Sequence, residues 1–157
     1  MNGAKFDHVA HAAPRIRDLL PLYQGVLGGS FLHGLRNEEL GYTTLQLGFA
    51  DGTKIELMEP TAGSAFLDSF LARNPNGGMH HITYRVPDID AAVAAAEAQG
   101  YDVFGVSRTL PDWWEAFVHP RSAHGVLLQL AQSPPTWPPV VPGVTIDTLI
   151  GPANREA

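Results

Sequence analysis

The strongest constraint on this chain is an internal repeat. Placing His8 on His81, a shift of 73 residues, sets Phe6-Asp7-His8-Val9-Ala10 over Met79-His80-His81-Ile82-Thr83. The same shift carries Pro14 to Pro87, Ile16 to Ile89, Gly52 to Gly125 and Ile55 to Leu128. It also carries Glu56 to Gln129 and Leu57 to Leu130, with no gap. Identity is low, but the apolar pattern, the proline position and the polar exceptions agree. Self-similarity at one fixed shift marks a duplicated structural unit. The two repeats, about 5–58 and 79–131, are read as one domain over 1–132, with a Pro-rich tail over 133–157. A chain of 157 residues suits one domain of this kind.

Each half reads as strand, helix and three strands. Lys5–Ala13 and His81–Val86 are the opening strands. In the second half Asp88 can cap a helix with body Ala91–Ala98, and Gly100 is a natural stop. In the first half Ile16, Leu19, Leu20, Tyr23 and Leu27 recur at helical spacing, with Asp18 as the cap and Gly28-Gly29 as the end. Pro21 is tolerated only in a first turn. Strands follow over Phe31–Leu35, Tyr42–Phe49 and Thr53–Met58, then over Tyr101–Val106, Trp114–His119 and Val126–Ala131. Each half has one sheet face covered by its helix and one face left to pair. The expected fold is therefore α+β: two βαβββ repeats related by a pseudo-two-fold, forming a curved, partly open mixed β-barrel with a central cleft.

The tail differs in composition. Pro134, Pro135, Pro138, Pro139 and Pro142 favour extended polyproline conformation. Val144–Ile150 reads as a late strand or a subunit contact, and the last few residues as mobile.

Composition removes several classes of function. There is no cysteine, which excludes disulfides, thiolate-bound zinc, iron–sulfur clusters and cysteine nucleophiles. A net charge of −6 argues against a general nucleic-acid surface. No apolar run approaches a membrane span, and the N-terminus lacks a signal-peptide core, so a cytoplasmic location is expected.

Four polar residues interrupt the strand pattern: His8, Glu56, His81 and Gln129. Alternation sends Ile55 and Leu57 to one face and Glu56 to the other, and separates Leu128 and Leu130 from Gln129 in the same way. A pseudo-two-fold would bring one imidazole and one oxygen donor from each half to a common cleft. Two imidazoles, a carboxylate and a carboxamide oxygen suit one divalent ion per site: Co, Ni, Mn, Fe or Zn. Two open positions would accept neighbouring oxygens of a small substrate, with the ion acting as a Lewis acid toward an enolate. The ordinary alternative is that each is a hydrogen-bonded core or surface side chain. His80 alternates to the opposite face from His81 and reads as a packing histidine. His11, His33, His119 and His124 read as loop or rim residues. Trp113, Trp114, Glu115 and His119 are candidate substrate-binding residues, with ordinary packing an equal alternative for at least one tryptophan. Gly77-Gly78 is a turn, and no phosphate-binding glycine pattern is present.

These stretches resemble the vicinal oxygen chelate (glyoxalase/bleomycin-resistance/dioxygenase) superfamily over about residues 5–132. Phe6–Ala10 is similar to its opening strand, Ile55–Pro60 to the strand of its second ligand, and Gly78–Tyr84 to that of the third. His119–Leu130 resembles the closing segment of methylmalonyl-CoA epimerases, where the fourth ligand is usually Glu; here it is Gln129. Gln can offer a carbonyl oxygen but takes no proton as a base. The further carboxylate that epimerases use on the preceding strand has no counterpart in Gly41–Gln46, which leaves Glu56 as the catalytic candidate and His119, Glu115 or Glu38 as open alternatives. The resemblance implies a metal-dependent isomerase or lyase of the epimerase or glyoxalase type acting on a small carbonyl compound or acyl thioester. It also implies a homodimer. An Fe(II) ring-cleaving dioxygenase and a non-catalytic drug-binding protein are the competing readings.

Overall fold

A computed structural model describes residues 3–61, 66–138 and 141–152. The chain divides into two compact units: residues up to Val9 with His81–Trp137, and Ala10–His80 with the segment from Pro138 onward. The opening strand of each repeat contributes to both.

The repeat is visible in the element boundaries. Strand β1 spans Lys5–Ala12 and β5 spans Gly78–Arg85, an offset of 73 at both ends. Strand β2 (Ser30–Asn37) and β6 (Val103–Leu110) keep the same offset. The remaining strands are β3 (Tyr42–Gly48), β4 (Lys54–Pro60), β7 (Trp113–Val118) and β8 (Leu128–Gln132). Strand β7 starts two residues before the position the shift implies, where Trp113 meets Leu110 across the turn.

In the unit built on the second repeat the strands run β1-β5-β8-β7-β6. Strand β5 pairs with β8 in parallel, whereas β7 is antiparallel to both β8 and β6. Helix α2, Ile89–Ala98, starts where the sequence places it, because the Asp88 carboxylate accepts the Ala91 N–H at 3.0 Å. It buries Ile89 and Ala92 against Val86, Ala116, Trp114 and Leu130. Leu130 thus faces the helix, and its neighbour Gln129 points the other way.

In the other unit the order is β2-β3-β4-β1, with β3 antiparallel to β2 and β4. Ala10, Ala12, Met58 and Leu67 form a core that Tyr42, Phe70 and Leu71 cover. Leu67 precedes α1 (Asp68–Arg73), a six-residue helix that carries too short an apolar period to be read from sequence.

Three expectations are corrected here. The first helical segment is irregular: a 3₁₀ turn over Ile16–Asp18 precedes a π-helical stretch over Pro21–Val26. Pro21 has no N–H to continue a regular helix. Asp18 caps nothing and pairs with Arg15 at 2.7 Å, while the Glu59 carboxylate accepts the Ile16 N–H at 2.7 Å. Second, Val144–Ile150 contains a helix, not a strand. Helix α3, Ile146–Ile150, is nucleated by reciprocal bonds between Thr145 and Thr148, and it lays Leu149 over Gly34. Third, the proline tract turns near its start, with the Trp137 N–H donating to the Pro134 carbonyl at 3.0 Å. Arg85 donates to the Ser133 and Pro134 carbonyls. The expected mobile end lies outside the described residues, as do Pro139 and Val140.

Gly77 has φ +84, and a Cβ there would sit 2.5 Å from the Ala12 carbonyl oxygen. Gly52 shares that φ but has open space around it. Gly77→Ala is expected to cost about 3 kcal/mol and Gly52→Ala about 1, read as urea-unfolding free energies. Equal losses would show that the backbone angle alone matters. A second expectation concerns Glu59, whose burial raises its carboxyl above the ordinary range despite the Ile16 N–H. The folded chain then holds that proton more readily than the unfolded chain, so this group's contribution falls as pH rises through the raised value. Glu59→Gln keeps the acceptor and removes the ionisation. Relative to the native chain it should gain stability as pH rises from the ordinary carboxylate range through the raised value, measured by thermal unfolding.

Candidate metal centre

Strand alternation in the second-repeat unit gathers four polar side chains on the face away from α2. His8 comes from β1, His81 and Thr83 from β5, and Gln129 from β8. All four are buried, at 1%, 6%, 0% and 6% exposure. Thr83 and Gln129 are register partners across the β5–β8 ladder. The Thr83 hydroxyl donates to Gln129 Oε1 at 2.7 Å and lies 3.0 Å from His8 Nε2. The His8 and His81 rings meet edge to face at 5.9 Å, and His81 also contacts Phe117.

The hydrogen bonds fix which atoms face inward. Asp7 Oδ1 lies 2.7 Å from His8 Nδ1. A carboxylate accepts only, so Nδ1 carries the proton and Nε2 is the ring atom left for a ligand role. Asp7 is itself buried, and Arg85 lies 3.8 Å from its second oxygen. On the other side, Gln129 Nε2 donates to Glu115 Oε2 at 2.7 Å. Trp113 Nε1 donates to the same oxygen at 3.0 Å.

Glu56 belongs to the other unit. It is half-buried in β4, between buried Ile55 and Leu57 and opposite Gln46 of β3. His80 lies in that unit too, packed edge-on to Phe70 at 5.0 Å, a packing histidine as the alternation implies. Burial holds its imidazole below the ordinary range, with the Glu56 charge pulling in the opposite direction.

The structure brings His8, His81 and Gln129 together, and Glu115 with them. Trp113 reaches this group through Glu115 and also stacks near Trp137 at 5.3 Å. Trp114 faces the α2 core, lies beneath the Arg108 guanidinium and lines an open pocket with Pro111 and Gln132. His119 sits just past β7, its ring beside Phe104 and its Nδ1 accepting the Arg121 N–H. His11 and His33 are in strands rather than loops, and His11 Nδ1 lies 3.0 Å from the Tyr23 hydroxyl. Glu38 is exposed and paired with Arg36.

Asp7 and Thr83 were not singled out in the sequence. Thr83 carried a signal: it lies two residues after His81, on the same strand face, where the repeat places Ala10 in the other half. Asp7 carried only its adjacency to His8.

A family model described as the Glyoxalase/Bleomycin resistance protein/Dioxygenase superfamily matches residues 7–117. The chain belongs to this superfamily. It is 34% identical over 130 residues to the mitochondrial methylmalonyl-CoA epimerase of Dictyostelium discoideum, covering 82% of this chain and 78% of that one. The crystal structure of methylmalonyl-CoA epimerase from Mycobacterium tuberculosis matches with a TM-score of 0.74 at 27% identity, over 83% of this chain and 89% of the other. A Streptomyces coelicolor methylmalonyl-CoA epimerase variant in complex with 2-nitronate-propionyl-CoA matches with a TM-score of 0.70 at 31% identity, over 82% and 96%. The mixed α+β fold is the one these structures share. These three relatives are named as epimerases, which supports an isomerase of the same superfamily. Among the described residues no helix is long and apolar enough to cross a membrane.

Thr83→Val removes the hydroxyl between His8 and Gln129 while keeping the β-branched shape. Leaving the buried Gln129 oxygen without this donor should cost about 1–3 kcal/mol in chemical denaturation, with Thr83→Ser losing less. An unchanged midpoint for Thr83→Val would show that the bond contributes nothing to folding.

Proposed function

We propose that this protein is a divalent-metal-dependent epimerase of a small 2-substituted malonyl-CoA thioester, methylmalonyl-CoA being the first substrate to test. The observation that carries the reading is the buried arrangement of His8, His81 and Gln129, oriented by Asp7, Thr83 and Glu115. The donor chemistry fits an ion. His8, Glu56 and His81 each offer one ligand atom, an imidazole nitrogen or a carboxylate oxygen. Gln129 adds a carbonyl oxygen, and the chain has no thiolate to impose tetrahedral zinc. Co, Ni, Mn, Fe and Zn all remain compatible. When bound, the ion would supply Lewis acidity for the oxygen that becomes negative as the carbon beside the carbonyl loses its proton.

The chain's own residues set the rest. Asp7 holds His8 by its Nδ1 proton, which places the ring's lone pair on Nε2. Gln129 contributes no base. Glu56 is the one carboxylate of the proposed ligand set, and a carboxylate can take a proton and return it. Its half-burial limits competition from bulk water. The relatives' chemistry favours proton transfer over lyase or oxygen chemistry. Self-association into a homodimer is part of the proposal; the edge strand β6, with Phe104, Val106 and Leu110 exposed, is a surface it could use.

The test is hydrogen exchange. In D₂O with Co²⁺, methylmalonyl-CoA should lose the hydrogen between its carboxylate and thioester, followed by proton NMR. His8→Ala and His81→Ala should fail to retain Co²⁺ in metal analysis and lose exchange. Glu56→Gln should slow exchange by at least about 100-fold, the scale of a general base. Full-rate exchange in chelator-treated protein would overturn the metal dependence. Absence of exchange in the Co²⁺-loaded native chain would overturn the epimerase assignment.

A further inference from the structure

Gln129 presents a problem that a carboxylate ligand would not. A carboxamide has one end that can bind a cation and one that repels it, and the two ends are nearly the same shape. Something must decide which end faces the imidazoles. Two contacts in this unit make that decision. On the inner side Oε1 accepts from the Thr83 hydroxyl at 2.7 Å. A hydroxyl can also accept, so Thr83 alone could serve either end of the amide. On the outer side Nε2 donates to Glu115 Oε2 at 2.7 Å. An ionised carboxylate accepts only, so it rejects the flipped amide. The same oxygen takes the Trp113 indole N–H at 3.0 Å, which holds Glu115 in place from the next but one position of β7.

We propose that Glu115 is a positioning residue: its carboxylate takes the Gln129 amide hydrogen and so locks the carbonyl oxygen toward His8 and Thr83. Glu115 was a candidate for direct substrate contact; this role acts through Gln129 instead. It explains how a neutral residue can hold the fourth position, where the epimerases this chain resembles usually carry a glutamate. The consequence for metal binding rests on the ion-binding reading above. The orientation itself does not.

The experiment has two arms. In the first, the side-chain amide of Gln129 is followed by ¹⁵N NMR in metal-free protein. In the native chain its hydrogens should exchange slowly with solvent, and in Glu115→Gln they should exchange faster or give two sets of signals for two orientations. An unchanged amide in Glu115→Gln overturns the proposal. Trp113→Phe, which leaves the carboxylate in place, should keep most of the native amide protection; this serves as the packing control.

In the second arm, Co²⁺ affinity is measured by calorimetric titration in a double-mutant cycle. Glu115→Gln should weaken Co²⁺ by at least about 10-fold, the scale seen for residues that orient a ligand. In a Gln129→Glu background the fourth ligand has two equivalent oxygens and nothing to orient, while Glu115 becomes a neighbouring like charge. There Glu115→Gln should leave Co²⁺ affinity unchanged or tighten it. Equal weakening in both backgrounds overturns the proposal, because Glu115 would then act by attracting the cation through its charge alone. If the native chain takes up no Co²⁺, the metal reading fails, and the amide signals still decide the role of Glu115.

Discussion

A run of polar contacts from Asp7 through His8, Thr83 and Gln129 to Glu115 organises the buried polar face of this protein. It lies within one compact unit and crosses three β-strands to reach the fourth. Burying so many polar groups is unfavourable unless each finds a partner of the right kind. The carboxylates at the two ends accept only, and that fixes the direction of the bonds beside them. Asp7 assigns the proton on His8, and Glu115 assigns the orientation of Gln129. These end groups set His8 and Gln129, and Thr83 between them donates to the Gln129 oxygen.

The packing on the opposite face makes the arrangement possible. Leu130, Ala116, Val86 and helix α2 form an apolar layer that holds β5, β7 and β8 in register. Register matters because strand side chains alternate, and a slip by one residue would exchange Gln129 for Leu130 on the polar side. The helix that covers one face therefore fixes the chemistry of the other. The first repeat uses the same plan with different means. Its helical segment is broken by Pro21, and Glu59 caps it from β4, where the second repeat has Asp88 next in sequence to α2.

The repeats differ at several of the polar strand positions. The shift of 73 residues maps His8 to His81 but Glu56 to Gln129 and Ala10 to Thr83. One repeat thus contributes a charged oxygen donor, and the other a neutral donor with an added hydroxyl beside it. A carboxylate binds a cation in either orientation, whereas a carboxamide must be oriented. Gln129 has the Thr83 hydroxyl at its oxygen and the Glu115 carboxylate at its nitrogen.

Much of this was legible in the sequence because duplication doubles the signal. The existence of β1, β2, β5 and β6 was readable, though β5 and β6 run over Gly78–Arg85 and Val103–Leu110 and not over His81–Val86 and Tyr101–Val106, and the alternation placed Gln129 on the opposite face from Leu130. The cap at Asp88 was readable because capping is local. Helix α1, the π-helical stretch after Pro21 and helix α3 were not, since each is short and depends on where Leu67, Glu59 or Gly34 lies in space. The sequence by itself determined the repeat, the strand pattern and the residue types offered to an ion. Only the tertiary structure decided that Glu115 meets Gln129 and that Trp114 turns to the apolar core. Those outcomes depend on which strands become neighbours, and contacts between strands distant in sequence leave no local period to read.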